Sequence, residues 1–336
     1  MRRSLARLSI PFREPFVTAT GVVPTRELLL LRLEDDDGAV GFGEAAPFEP
    51  YDGVALDDVA AALRGGGNGA PPQARAAEEM ARLDLEARRA GRAVGEPGAE
   101  AIAVNRTLAA GPPEEVARQA GEAVREGYAC FKLKVGLPDD AERVAAVREA
   151  IGPWPALRVD ANGAWSVDEA LRAVDALRQH DLELVEQPCP TLPELAEVRQ
   201  AAGVPIAADE PIATPDDVRA AAEAGACDAV NVKLAPSGGF GAARATVAAA
   251  RECGLEPYLS STLDGPWGIA AALQLAASER LSLACGLATL QLFDARLARA
   301  LPAPRAGLLA VPQGPGLGVA VEDDVLREVL VEELEH

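Results

Sequence analysis

Lysine is scarce in this chain, and its three copies sit where chemistry would use them. Of 32 basic residues 29 are arginine, leaving Lys132, Lys134 and Lys233. Arginine keeps its proton under ordinary conditions, whereas lysine can give it up and serve as a base. Coding bias explains a drift to arginine but not the places lysine kept: two lie in FKLKVG and the third in NVKLAP, both strand-like. Three carboxylates end the strand-like segments between them, Asp160 in ALRVD, Glu186 in LELVE and Asp209 in PIAAD. The steps from Lys134 through these to Lys233 are 26, 26, 23 and 24 residues, one strand plus one helix each.

Three carboxylates brought within a few ångströms cannot all stay ionised without a counter-charge. Oxygen ligands with no His or Cys suit a hard divalent ion, Mg2+. Such an ion binds a substrate carboxylate and stabilises the enediolate formed when the α-proton leaves. A lysine facing that carbon takes the proton, provided neighbouring positive charge weakens its own hold on one. Lys132 and Lys134 share one side of their strand and can help each other in this way. Proton abstraction α to a carboxylate is the chemistry these parts suit. Histidine offers nothing comparable. His180 closes the amphipathic stretch LRAVDALRQH, where a cation suits a helix C-terminus, and His336 is the last residue. Serine–histidine hydrolysis and histidine-rich zinc sites are poor candidates.

The elements that must position these side chains begin near residue 101. Strand-like segments are AIAV (101–104), CFKLKV (130–135), ALRVD (156–160), LELVE (182–186), PIAAD (205–209), AVNVK (229–233), PYLSS (257–261) and a weak LSLAC (281–285). Segments of helical period, such as PEEVARQAGEAVREG and VDEALRAVDALRQ, lie between them. Eight alternations predict an α/β fold, a modified (β/α)8 TIM barrel over residues 101–300, whose strand ends face one another across one mouth. No GxGxxG follows the first strand, which disfavours a doubly wound sheet. The irregular eighth strand predicts imperfect closure. Residues 1–100 read as an α+β capping domain. RELLLLRLEDDDGAVGFGEAAP is a hairpin turning at Asp37-Gly38, and helical patterns follow over 55–65 and 73–91. The turn-rich tail, 301–336, is expected to pack back on that domain.

Composition excludes several function classes. Fifty-two acidic against 32 basic residues leave a net charge of −20, with no basic stripe for nucleic acid. The longest aliphatic run, Leu28–Leu31, is far short of the ~18 residues of a membrane span. MRRSLARLSIPFREP lacks the apolar core of a signal peptide, so a cytoplasmic location is expected. Five widely spaced cysteines without a CxxC pair suit buried free thiols.

Taken together these motifs resemble the enolase superfamily, muconate-lactonizing subgroup. FKLKVG matches its K-x-K motif, VDANGAW, VEQP and ADEP its three metal-ligand motifs, and NVK its opposite lysine. The resemblance runs over essentially the whole chain. It implies Asp160, Glu186 and Asp209 as Mg2+ ligands, and Lys134 and Lys233 flanking the substrate, with Lys132 tuning Lys134. It further implies Asn162 and Glu210 as supports of those groups; Asn162 reads equally well as a helix N-cap. A cap loop is expected around Thr18–Gly21, with Tyr51 of PFEPYDG as a second cap element; both also read as ordinary turn residues. The implied partner is a small-molecule carboxylate, and a homo-oligomer is compatible with the subgroup.

The subgroup's reactions include a dehydration, muconate cycloisomerisation, dipeptide epimerisation and N-succinylamino acid racemisation. YLSSTLDGPWGIAAALQLAA followed by ACGLATLQLF resembles the dehydrating branch, which acts on a cyclohexadiene carboxylate in menaquinone biosynthesis. Ser260 and Ser261 would donate to a substrate carboxylate, aided by the helix N-terminus near Gly265. The same pair also reads as a helix cap. Dipeptide epimerases carry an Asp-x-Asp pair near the eighth strand to hold a substrate ammonium. Ala288-Thr289-Leu290 has no acid to offer there, and Gln291 stands where cycloisomerases tend to have Glu. Both absences favour a substrate without an ammonium group.

Overall fold

The computed structural model describes residues 1–18, 21–65 and 69–334. Three N-terminal strands, β1 (Arg2–Thr18), β2 (Gly21–Glu34) and β3 (Val40–Ala45), form an antiparallel sheet. The expected hairpin joins β2 to β3, its turn closed by the Gly38 amide on the Asp35 carbonyl. The unbroken Leu28–Leu31 run has a physical reason. Successive strand residues face opposite sides, and here both sides are buried. Leu29, Leu31 and Leu33 pack with Ala74, Ala77 and Ala81 of the helix Pro72–Arg89, while Leu28 and Leu30 join the barrel core. That helix lies directly on β3. A Cβ on Gly43 would come within 1.9 Å of the Ala77 carbonyl oxygen, so only glycine allows the approach.

The second unit is a parallel sheet of seven strands: β5 (Arg106–Leu108), β6 (Cys130–Lys134), β7 (Ala156–Asp160), β8 (Leu182–Glu186), β9 (Ile206–Ala208), β10 (Ala229–Val232) and β11 (Glu256–Leu259). They neighbour one another in chain order, and helices such as Asp140–Ile151 and Val167–Leu177 cross between them. The segment around Cys285 closes the ring by single bridges only, Val104 to Cys285 and Ser260 to Gly286. Closure is thus as irregular as LSLAC predicts.

One assignment needs correcting. The first barrel strand is Arg106–Leu108, and of AIAV only its end joins the ring, where Val104 bridges to Cys285. The strand β4 (Ala101–Ala103) turns away to pair antiparallel with β12 (Leu308–Ala310). A short apolar run is consistent with a strand but does not name its partner. The last strand, β13 (Leu330–Leu334), pairs antiparallel with Leu5–Leu8 of β1. Before it, the Leu317 amide donates to Asp84, which is fully buried on the helix Pro72–Arg89. All five cysteines are free thiols, four of them buried. No described helix is long and apolar enough to cross a membrane.

Candidate active site

Sheet register brings the chemistry together. Lys134, Asp160 and Glu186 end β6, β7 and β8 and stand side by side in that order. Asp209 and Lys233 each come one residue after the end of β9 and β10. All five therefore occupy the C-terminal rim of the barrel. Lys134 Nζ lies 2.6 Å from Asp160 Oδ2 and 2.6 Å from Asn162 Oδ1. Lys132 Nζ lies 2.9 and 3.1 Å from the two Glu186 oxygens and 3.2 Å from Asp160 Oδ2. Lys233 Nζ donates to Asp209 Oδ1 and, at 2.8 Å, to the Tyr51 hydroxyl. That hydroxyl donates to the same Asp209 oxygen at 3.0 Å. A cavity of about 180 Å3 opens above these groups. Lys134 and Asp160 are in its wall on one side, Asp209 and Lys233 on another, and Tyr51 comes from the N-terminal domain. Glu186 is fully buried beneath Lys132.

Burial pushes the Glu186 carboxyl up, and the Asp160 carboxylate adds to this against the opposing Lys132 ammonium. Burial acts on Asp160 in the same direction, but Lys134 and Lys132 outweigh it and hold that carboxyl well below the usual range. Lys132 loses proton affinity to burial, yet Glu186 and Asp160 more than restore it. Burial, with Asp209 and Asp160 nearby, pushes Glu210 up to about 8. One Glu210 oxygen accepts from Asn162 Nδ2 at 2.9 Å; the other is buried with no partner among the described residues. Each strand-end carboxylate is turned towards a lysine, and no three His, Cys, Asp or Glu side chains among the described residues surround one point. The donor chemistry fits a hard divalent cation all the same. Asp160, Glu186 and Asp209 offer only oxygen, on adjacent strands, which is the donor set a hard divalent ion takes.

The connections after these strands serve the site as well. Asn162 and Gln187 both adopt left-handed backbone, φ 47° and 40°. That conformation is strained for a residue with a side chain and is common at functional sites. Asn162 does not cap the following helix. Ser166 does, in a reciprocal pair with Glu169, while Asn162 bridges Lys134 and Glu210. Gln187 Oε1 accepts the Asp209 amide at 2.7 Å and its Nε2 donates to the Cys189 carbonyl, which fixes the Asp209 backbone. Asn231 Nδ2 donates to Glu186 at 2.9 Å. The sequence reading passed over both Gln187 and Asn231. The available signals were the residue after Glu186 in VEQP and a polar residue two before Lys233 on the same strand face.

The opposite wall carries hydroxyls. Ser260, Ser261 and Thr289 line the cavity. Ser260 Oγ is buried with no partner among the described residues, and Ser261 Oγ lies 2.8 Å from Thr289 Oγ1. Two expectations fail here. The helix Pro266–Glu279 does not offer its N-terminus to a ligand, because Glu44 of β3 accepts the Gly265 amide at 2.6 Å and the Gly268 amide at 3.3 Å. The Glu44 carboxyl group, pushed up to about 8 by burial and the neighbouring Asp264, already satisfies those orphan donors. Gln291 lies off the cavity, held by Arg106 at 2.7 Å and the Tyr128 hydroxyl at 3.0 Å, so its identity does not report on the ligand. Thr18 and Gly21 pair as the ends of β1 and β2. Their side chains, and residues 19–20 of the expected cap loop, lie outside the described residues. Phe16 of β1 does line the cavity.

The family model for the enolase C-terminal domain-like fold matches residues 115–325. The chain belongs to the enolase superfamily. Among its superfamily relatives, an o-succinylbenzoate synthase of Thermobifida fusca is 37% identical over 330 residues, 96% of this chain and 91% of that one. A muconate lactonizing enzyme of Pseudomonas fluorescens, solved with muconolactone, matches with a TM-score of 0.91 at 26% identity, covering 98% of each chain. A dipeptide epimerase of Enterococcus faecalis, solved with Mg and L-Leu-L-Tyr, matches with a TM-score of 0.88 at 26% identity, over 95% of this chain and 99% of that one. The likeness extends beyond the barrel to the N-terminal sheet and the C-terminal tail. This enolase-superfamily chain is therefore an enzyme.

Proposed function

We propose that this superfamily member is an o-succinylbenzoate synthase, a Mg2+-dependent carbon–oxygen lyase of menaquinone biosynthesis working in the cytoplasm. The cavity carries the reading. Its rim of lysines and carboxylates faces a wall of Ser260, Ser261 and Thr289 hydroxyls beside apolar Phe16 and Leu263. A ring bearing carboxylates and no ammonium fits those two walls. The 37% identity to the Thermobifida synthase supports the same choice.

Asp160, Glu186 and Asp209 would hold the Mg2+, which supplies positive charge to the substrate carboxylate oxygens as the α-proton leaves. Lys134, as free amine, takes that proton, and the C–H electron pair stays with the substrate. The pair then forms the new C=C bond as the neighbouring C–O bond breaks. The departing hydroxide collects the proton from Lys134 Nζ and leaves as water, so the base is regenerated. Lys233, fixed by Asp209 and Tyr51, remains a cation on the other face. Ser260 donates its free hydroxyl hydrogen to the second substrate carboxylate.

A second reading rests on the same two lysines. Both line the cavity, from β6 and from the end of β10. One base per face is what racemisation of an N-succinylamino acid or epimerisation of a dipeptide requires. The deciding experiment supplies the hydroxylated succinyl-cyclohexadiene carboxylate, an N-succinylamino acid and an Ala–Glu dipeptide in turn, with Mg2+ and in D2O. Dehydration of the first at the highest kcat/KM is expected. Efficient racemisation of either of the others without dehydration refutes the synthase reading.

A further inference from the structure

Arg26 of β2 is buried, 4% exposed, between exposed Thr25 and half-buried Glu27. A guanidinium has five N–H donors and no acceptor, and here every donor reaches a backbone carbonyl. Nη2 donates to Ala46 O at 2.5 Å and Thr262 O at 3.1 Å. Nη1 donates to Pro47 O at 2.7 Å and Glu27 O at 3.0 Å, and Nε to Leu263 O at 3.3 Å. Its plane lies over the Phe48 ring, 5.1 Å from the centroid. The two acceptor segments come from different units. Ala46–Pro47 leads directly into Phe48 and Tyr51, and Thr262–Leu263 follows β11. Phe48, Tyr51, Thr262 and Leu263 all line the cavity. Leu263 also holds φ at 63°, a conformation a branched side chain leaves unless its surroundings fix it.

We propose that Arg26 is a positioning residue that sets the gap between the two walls of the substrate cavity, and through it the affinity and choice of carboxylate substrate. It touches no reacting atom. Its fixed planar fork spans two loops that share no other side chain with five bonds to give, and a lysine, with three donors on a flexible stem, cannot reproduce the span. This inference rests on the cavity being the substrate site, not on which superfamily reaction occurs there.

The molecule contains its own control. Arg148 makes the same kind of clasp at the other end of the barrel, donating to the His180, Gly152, Pro155 and Asp181 carbonyls at 2.8–3.0 Å. The test compares Arg26→Lys, Arg26→Met and Arg148→Met by thermal melting, by steady-state kinetics on the cyclohexadiene substrate, and by amide hydrogen exchange. Arg26→Lys should raise KM about 10-fold or more with kcat changed by less than about 3-fold, because a displaced wall weakens binding before it disturbs the base. Its amides over 46–53 and 260–265 should exchange faster. Arg148→Met should lower the melting temperature and leave KM and those amides alone. If KM is unmoved in Arg26→Lys, or moves equally in Arg148→Met, the positioning role is refuted and Arg26 is only a structural staple. If Arg26→Met does not fold, Arg26→Lys, which keeps the charge, decides. If the wild type dehydrates nothing, the synthase reading fails, and hydrogen exchange alone judges the clasp: unchanged exchange at both segments overturns it.

Discussion

Replacing Tyr51 by Phe removes one oxygen and little else. That oxygen accepts from Lys233 Nζ at 2.8 Å and donates to Asp209 Oδ1 at 3.0 Å. Hydrogen bonds to charged groups contribute about 1.5–3 kcal/mol each. The full sum is not lost, because Lys233 still meets Asp209 directly and the ring stays 4.4 Å from the ammonium. What disappears is the second restraint on where Lys233 points, the equivalent of about one such bond. About 1.5 kcal/mol corresponds to roughly 10-fold in rate. The consequence should be confined to one face of the substrate. In D2O, α-proton exchange of the N-succinylamino acid enantiomer whose hydrogen faces Lys233 should slow about 10-fold, by the same conversion. Exchange of its mirror image, served by Lys134, should keep its rate. Dehydration should slow to a similar degree, through the poorer placement of the Lys233 cation. The assay is proton NMR on each enantiomer separately, with melting temperature as the folding control. Equal slowing of both enantiomers, or none of either, would refute the assignment of Tyr51 and Lys233 to one face.

Chelator should abolish turnover and Mg2+ restore it, and Glu186→Gln should weaken Mg2+ binding by calorimetry without unfolding the barrel; full activity in chelator would end the metal assignment. Lys134→Arg keeps the charge but removes the base, so turnover should fall by ~100-fold or more in a stopped or continuous assay, and near-normal turnover would leave Lys134 an electrostatic group only. Glu44→Ala strips two amides at the start of the helix Pro266–Glu279 of their acceptor, which should cost about 1–2 kcal/mol in denaturant unfolding; an unchanged midpoint would contradict the cap. Burial pushes the Cys130 thiol up to about 12 and those of Cys189, Cys227 and Cys285 up to about 11. A thiol reagent at pH 8 should therefore label the half-buried Cys253 first, and mass spectrometry showing rapid labelling of the other four would contradict their burial.

The site was legible because barrel geometry turns chain spacing into spatial adjacency. Steps of one strand and one helix place Lys134, Asp160 and Glu186 laterally in register, and nothing but the sequence period is needed to foresee it. Partner choice was not legible. Ala101–Ala103 has the apolar run of a barrel strand and pairs with Leu308–Ala310 instead. The start of the helix Pro266–Glu279 has every mark of an anion site, yet Glu44, more than 200 residues earlier in the chain, occupies it. Arg26, Gln187 and Asn231 escaped notice for a related reason. Each acts through a hydrogen bond to a group distant in sequence; the place of Gln187 in VEQP and of Asn231 on the face of Lys233 marks them as near the site but does not name that partner.

The split between arginine and lysine then acquires a physical account. Where this chain needs a cation for architecture it uses arginine, as in the carbonyl clasps of Arg26 and Arg148, because a flat fork of five donors holds several backbone segments at once. An arginine in place of Lys134 or Lys233 would satisfy the same carboxylates, so pairing alone does not explain why lysine persists there. Two demands do. The cavity wall leaves room for a compact ammonium between Asp209 and Tyr51, and the proposed reaction asks Lys134 to take up a proton and give it back. Lys132 also lines the cavity, and its ammonium sits between Glu186 and Asp160, where a guanidinium would crowd the carboxylates proposed to hold the metal. Under the proposed reaction each lysine thus stands where charge must be small or a proton must move, whereas the carbonyl clasps, which need neither, use arginine.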